Sequence, residues 1–215
     1  RHADVFGGHE MVCRNLDKLT RHNNIVRALI IGSGLAGLSA RLSNVLEMRR
    51  RLPNGHVDPS DQSKKQADLV VGPFSVPTHA CNDTSLEILV DVCACHPTAT
   101  TYIQNYALSG PGQCGAGANV IENRKIGLNK ERLKARTGYA FNAFGAETYG
   151  ALDDNAKNLI RDLVQEASAN SRPTTNLYNW SASKFAESVK QLVSISQRHG
   201  IATRLKKAAL ARRNL

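Results

Sequence analysis

The sequence predicts an α/β fold, and three observations point to it. Leu69-Val70-Val71 and Ile88-Leu89-Val90-Asp91-Val92 are short β-branched runs that read as buried strands. Segments on either side carry apolar residues at three- and four-residue steps and read as amphipathic helices. The 41% hydrophobic content of 215 residues supports one cored domain plus appendages.

Taken in order, residues 1–23 look irregular and bear His2, His9, Cys13 and His22. Ile25, Leu29, Ile30, Leu38, Leu42 and Leu46 predict a helix from Asn24 to Leu46, weakened or kinked by Gly32, Gly34 and Gly37. Residues 49–65 are polar, with Pro53, Asn54-Gly55 and Pro59, and suit a loop or loose hairpin. Strands are expected at 67–72 and 86–96. A glycine-rich linker at 109–117 then leads into a basic helix at 118–136, followed by a strand at 139–147. Asp153 or Asp154 can cap a helix running to Ala169. After the break at Ser171-Arg172-Pro173, Ser181 can cap an amphipathic helix to His199, with Phe185, Val189, Leu192 and Val193 on one face. The tail from Arg204 is basic and is expected to be helical only when bound. No internal repeat is evident.

The net charge of +10 is spread over Arg49-Arg50-Arg51, residues 124–136 and residues 198–213. Such an excess favours a polyanionic partner, of which nucleic acid is the commonest. Aromatics make up only 5%, which disfavours a stacking platform for single-stranded bases. Contacts to the phosphates of double-stranded DNA are the better expectation. Five cysteines, an odd number, without a secretory signal imply reduced thiols in a cytosolic or nuclear compartment. No apolar run approaches the length of a bilayer span, so no membrane role is expected. The chain starts at Arg1 and enters motif-like sequence at once, as a fragment of a longer polypeptide would.

Asp68 and Asp91 stand out as acids beside buried-strand residues, where a carboxylate is costly unless a cation, a partner or solvent meets it. On adjacent strands two carboxylates can hold a divalent ion, and a lysine can orient water or offset developing phosphate charge. Taken by themselves, the two acids could instead simply end their strands and face water. Alternation places Asp91, Cys93 and Cys95 on one face, so either Asp91 points into a cleft or the thiols line a floor beneath it. Gly32-Ser33-Gly34-Leu35-Ala36-Gly37 after Arg27-Ala28-Leu29-Ile30-Ile31 matches a dinucleotide fingerprint and resembles flavoprotein sequences. Glu47 follows too soon for a full helix and second strand, so a Rossmann-type flavin or nicotinamide fragment is a minor alternative.

Several pieces occur in a telling order: His9-Glu10-Met11-Val12-Cys13, Arg21-His22-Asn23, Lys65-Gln66-Ala67-Asp68, Val90-Asp91-Val92, Glu122-Asn123-Arg124-Lys125, and Phe144-Gly145-Ala146-Glu147-Thr148-Tyr149-Gly150. From His9 to Gly150 the chain resembles the C-terminal part of non-LTR retrotransposon polyproteins that carry a restriction-like endonuclease. The resemblance implies a restriction-endonuclease-like (PD-(D/E)xK) core at 24–170, a truncated zinc-knuckle remnant at 1–23 and a basic helical extension at 171–215. It implies Mg²⁺ (or Mn²⁺) at Asp68 and Asp91, with Glu47 as either a third metal-side carboxylate or a helix-end charge. Ala67 replaces the family's proline. Cys93 takes the slot where many nucleases of this fold place a lysine, so Lys125 on the following helix becomes the catalytic candidate, with Lys130 and Lys134 as substitutes. Arg49, Arg50, Arg51, Arg124, Lys130 and Lys134 are the expected DNA contacts. His9 and Cys13 suit zinc in the intact polyprotein, but tetrahedral Zn²⁺ needs four ligands and this chain reaches three only by adding His22 or His2. His22 could instead cap a helix or contact phosphate. The implied activity is nicking of target DNA to prime reverse transcription by an upstream domain of the same polyprotein, in the nucleus, with element RNA a further partner. A catalytically inactive DNA-binding module is the alternative within that family.

Overall fold

The structure is a computed structural model that describes residues 19–44, 47, 49, 52–54, 56–60, 67–80, 87–95, 139–148, 150–170 and 182–213. Among these residues the elements are α1 (Leu19–Leu35), β1 (Ala40–Leu42), β2 (Leu69–Val71), β3 (Glu87–Cys95), β4 (Tyr139–Glu147), α2 (Asp154–Ala169) and α3 (Ala182–Arg213). The four strands form one mixed sheet in the order β1-β2-β3-β4. β1 and β3 each run antiparallel to β2, whereas β3 and β4 are parallel, from Glu87 opposite Tyr139 to Cys95 opposite Glu147. The expected α/β class holds in this mixed architecture. The linker at 109–117 and the basic helix at 118–136 lie outside the described residues.

One face of the sheet presents Leu69, Val71, Ile88, Val90, Val92, Ala140 and Phe144 to all three helices. The helices answer with Ile25 and Leu29, with Leu159, Ile160 and Leu163, and with Phe185, Val189 and Val193. Each such large apolar side chain contributes roughly 1.5–3 kcal/mol by leaving water. The opposite face carries Ala67, Val70 and Leu89 beside Tyr139 and Phe141. β3 is therefore apolar on both faces, which explains why its sequence reads as a nearly unbroken apolar run. α3 contributes to this core only through its first half, with Phe185, Val189 and Val193.

The first helix differs from expectation at both ends. Arg21, His22 and Asn23 lie within α1 instead of before it, and α1 stops at Leu35. Gly37, at φ +83°, ends it in a Schellman motif: Leu38 N–H donates to Ser33 O and Gly37 N–H to Gly34 O, both at 3.0 Å. That sharp stop frees residues 40–42 to pair with β2 as an edge strand. The residues before the glycines, 27–31, are helical, so the strand that a dinucleotide-binding turn requires is not there.

α2 follows the sequence closely. Asp153 caps it, its carboxylate accepting the Ala156 N–H at 2.6 Å. Two buried acids on α2 tie down the segment after β2. Glu166 accepts from Ser75 N–H and Ser75 Oγ, both at 2.8 Å, and Asp162 accepts from His79 N–H at 3.0 Å. Burial pushes the Asp162 carboxyl above its ordinary range, against the lowering effect of its hydrogen bonds from His79.

α1 and α3 pack antiparallel at close range. A Cβ on Gly32 would sit 3.4 Å from Val189 Cγ1, whereas one on Gly200 would come within 2.8 Å of the Arg21 Cα. The second obstacle is backbone and cannot swing aside. Gly200→Ala is therefore expected to cost about 1–3 kcal/mol. Gly34→Ala, whose Cβ meets nothing within 4 Å, should gain up to about 1 kcal/mol from helix propensity. Urea midpoints of the two variants check the pair; equal midpoints would remove the close-packing account.

Candidate active site

Asp68 directly precedes β2, and its backbone is held on both sides. Its N–H donates to Val90 O at 2.9 Å, and its carbonyl accepts the Ser43 N–H at 3.1 Å. The half-buried carboxylate takes the Val92 N–H on Oδ2 at 2.6 Å, one peptide link beyond Asp91. Oδ2 also faces His22 Nε2 at 3.0 Å, while the other ring nitrogen, Nδ1, lies 3.1 Å from Asn23 Oδ1. α1 thus delivers an imidazole to one end of the sheet, where it fixes the orientation of an acid. Sequence reasoning misses this pairing. The tripeptide Arg21-His22-Asn23 is the available signal, but its partner is distant in the chain.

Asp91 lies on β3 opposite Ala143. Alternation puts it with Leu89 on the face away from the helices, half-buried, whereas Cys93 and Cys95 further along are buried. The two alternatives for this strand therefore coexist: the acid reaches solvent and the thiols form a floor. Burial, aided by the nearby Glu147 charge, pushes the Cys95 thiol up to about 12, so it is no ready thiolate ligand. Cys93 places a buried thiol, not an ammonium, two residues beyond Asp91.

Glu47 is not at the end of α1, which stops at Leu35; its carboxylate is engaged by its own neighbours in the chain. Its Oε2 accepts Ser43 Oγ at 2.7 Å and Asn44 N–H at 2.8 Å, and Asn44 Oδ1 in return accepts Glu47 N–H at 3.2 Å. This reciprocal pair is a capping box. Its Oε1 is paired with Arg41, which also reaches Glu87 at 3.5 Å. Both oxygens are thus engaged, and Glu47 supports the site only indirectly, by fixing Ser43 against the Asp68 carbonyl. Burial raises the Glu47 pKa, but the Asn44, Ser43 and Arg41 contacts outweigh it and hold the carboxyl below its ordinary value of 4.5. An acid with a depressed folded pKa stabilises fully above the unfolded value and loses that contribution as pH falls through the folded one. The stability gap between the native chain and Glu47→Gln should accordingly be widest near neutrality and narrow below about pH 4.5. Urea titrations across that range check this, and a gap independent of pH would contradict it.

Arg21 and Thr148 explain two pieces that the sequence singles out without a role. Arg21 is only 7% exposed and donates from Nη1 to Thr148 Oγ1 at 2.5 Å and from Nη2 to Ala94 O at 3.4 Å. Thr148 Oγ1 donates in turn to Cys95 O at 2.9 Å, and Gln197 Nε2 donates to Glu147 O at 2.9 Å. α1, α3 and the ends of β3 and β4 are thereby joined just behind His22.

Lys125, Lys130, Lys134, Arg124, Arg50, Arg51, His9 and Cys13 lie outside the described residues. Arg49 is half-buried beyond the capping box. Among the described residues, no three or more His, Cys, Asp or Glu side chains are grouped so as to hold a metal ion. No described helix is long and apolar enough to cross a membrane. No protein-family model matches the chain, and no curated protein does.

Proposed function

We propose that this chain is a metal-dependent DNA endonuclease module of a non-LTR retrotransposon polyprotein, with Asp68 and Asp91 at its reactive centre. The observation that carries the reading is the Asp68 carboxylate, held against the Val92 N–H one peptide link from Asp91 and faced by His22. Among the described residues no third ligand joins a group with the two acids, and a pair of carboxylates suits Mg²⁺, which keeps several waters and takes further ligands from phosphate, better than an ion needing an all-protein cage. When bound, Mg²⁺ would polarise the scissile phosphate and make water a stronger nucleophile. The chain's own residues do the positioning. β2 and β3 set the spacing of the acids, and His22 fixes the rotation of the Asp68 carboxylate. Lys125 is the proposed neutraliser of charge on the phosphate. A free 3′-hydroxyl left by nicking would prime reverse transcription.

A buried thiol at Cys93, where an Asp-x-Lys site would place its cation, favours a second reading, a DNA-binding module that does not cut. Incubating supercoiled plasmid with the protein in Mg²⁺, and in EDTA as control, separates the two. Nicked circles that form only with Mg²⁺ support the nuclease. Duplex binding without nicked circles supports the second reading.

A further inference from the structure

The C-terminal half of α3 departs from the rest of that helix. Phe185, Val189, Val193 and Gln197 are buried, and Gly200 is pressed onto Arg21. Beyond Gly200 the side chains of Ala202, Lys206 and Leu210 are exposed. Between Arg198 and Arg213 the sequence carries Arg198, Arg204, Lys206, Lys207, Arg212 and Arg213, with no acidic residue among them. This stretch is helical to Arg213, although the sequence suggests helix there only on binding.

Its position gives the charge a meaning. α1 and α3 are antiparallel, with Gly32 against Val189 and Arg21 against Gly200, so residues after Gly200 lead away past the N-terminal end of α1. The adjoining residue on α1 is His22, whose ring lies 3.0 Å from Asp68. The basic segment thus begins where α3 packs on the turn of α1 that carries His22, the residue facing the candidate reactive carboxylate. We propose that residues 201–213 form an arm that grips the phosphate backbone of duplex DNA beside the bond presented to Asp68 and Asp91. This assignment rests on the nuclease reading for its substrate but not for its test. At 1.5 Å per residue the arm is roughly 20 Å long, comparable to about six base pairs of duplex. The match of an acid-free cationic helix to a polyanion of regular spacing is why duplex DNA is the chosen occupant.

The experiment is fluorescence anisotropy with a short labelled DNA duplex in EDTA over a range of salt, so that no cleavage enters the readout. The native chain is compared with a chain ending at Thr203 and with full-length Arg204→Ala/Lys206→Ala/Lys207→Ala. Lys184→Ala/Lys190→Ala, which removes exposed charge from the other half of α3, is the control. Both arm variants should bind at least about tenfold more weakly, and their salt slopes should flatten by about 0.9 for each phosphate no longer neutralised. The control should bind as the native chain does. Unchanged affinity and slope in the triple variant would overturn the proposal, as would equal losses in the control. So would a triple variant that keeps its duplex affinity and loses affinity only for anionic phospholipid vesicles. A native chain that binds duplex through the arm yet never nicks plasmid would refute the nuclease reading alone.

Discussion

Asp68→Asn should remove Mg²⁺-dependent nicking by several orders of magnitude while leaving duplex affinity intact or slightly improved. The choice of asparagine matters. Oδ2 of Asp68 accepts the Val92 N–H at 2.6 Å, and alanine would leave that strand donor without its acceptor. Asparagine keeps an acceptor in place and removes only the charge, so a fall in activity cannot be mistaken for a damaged sheet. Asp91→Asn should behave alike, since either change leaves one carboxylate to meet both cation and phosphate. Removing negative charge near a phosphate has no reason to weaken binding. Gel-resolved plasmid nicking, with anisotropy for affinity, measures both effects. Nicking at the native rate by either variant would sink the site.

Arg21→Met should be the most damaging single change to stability. The guanidinium belongs to a side chain only 7% exposed and ties α1 both to the end of β3 through Ala94 O and to the turn after β4 through Thr148 Oγ1. Methionine fills much of the space but cannot donate. Losing charged hydrogen bonds at a buried position costs about 3 kcal/mol. For a domain of this size that corresponds to a fall of roughly 6–12 °C in melting temperature. Arg21→Lys should recover only part of it, because an ammonium lacks the planar fork that serves two acceptors at once. A melting temperature within about 2 °C of native for Arg21→Met would show that the bridge carries little.

What can be read from the residues is whatever depends on near neighbours. β4 and α2 fall where alternation and the Asp153 cap place them, because strand and cap chemistry act within a few residues. α1 resists such reading for the opposite reason. Leu38, Leu42 and Leu46 extend the helical spacing past Gly37, and only the Schellman hydrogen bonds and pairing with β2 reveal that the chain has turned. The β1 edge, three residues long, has too little pattern of its own to be seen. The site divides in the same way. Asp68 and Asp91 are conspicuous as acids among strand residues, whereas the His22 pairing and the engagement of Glu47 by Arg41 require elements that meet only in the folded sheet.

The packing of α1 against α3 sets the order in which the chain can fold. Roughly 150 residues separate Leu35 from Ala182, and until α3 emerges the apolar stripe of Ile25 and Leu29 lacks one of its walls. At the usual pace of synthesis, that interval lasts about 8–30 s. The parallel pairing of β3 with β4 adds a second long wait within it. His22 and Asp68 therefore come to rest only when nearly the whole described domain has been made. Any reactive centre built from them would stay unassembled on the ribosome and switch on as a late consequence of closure.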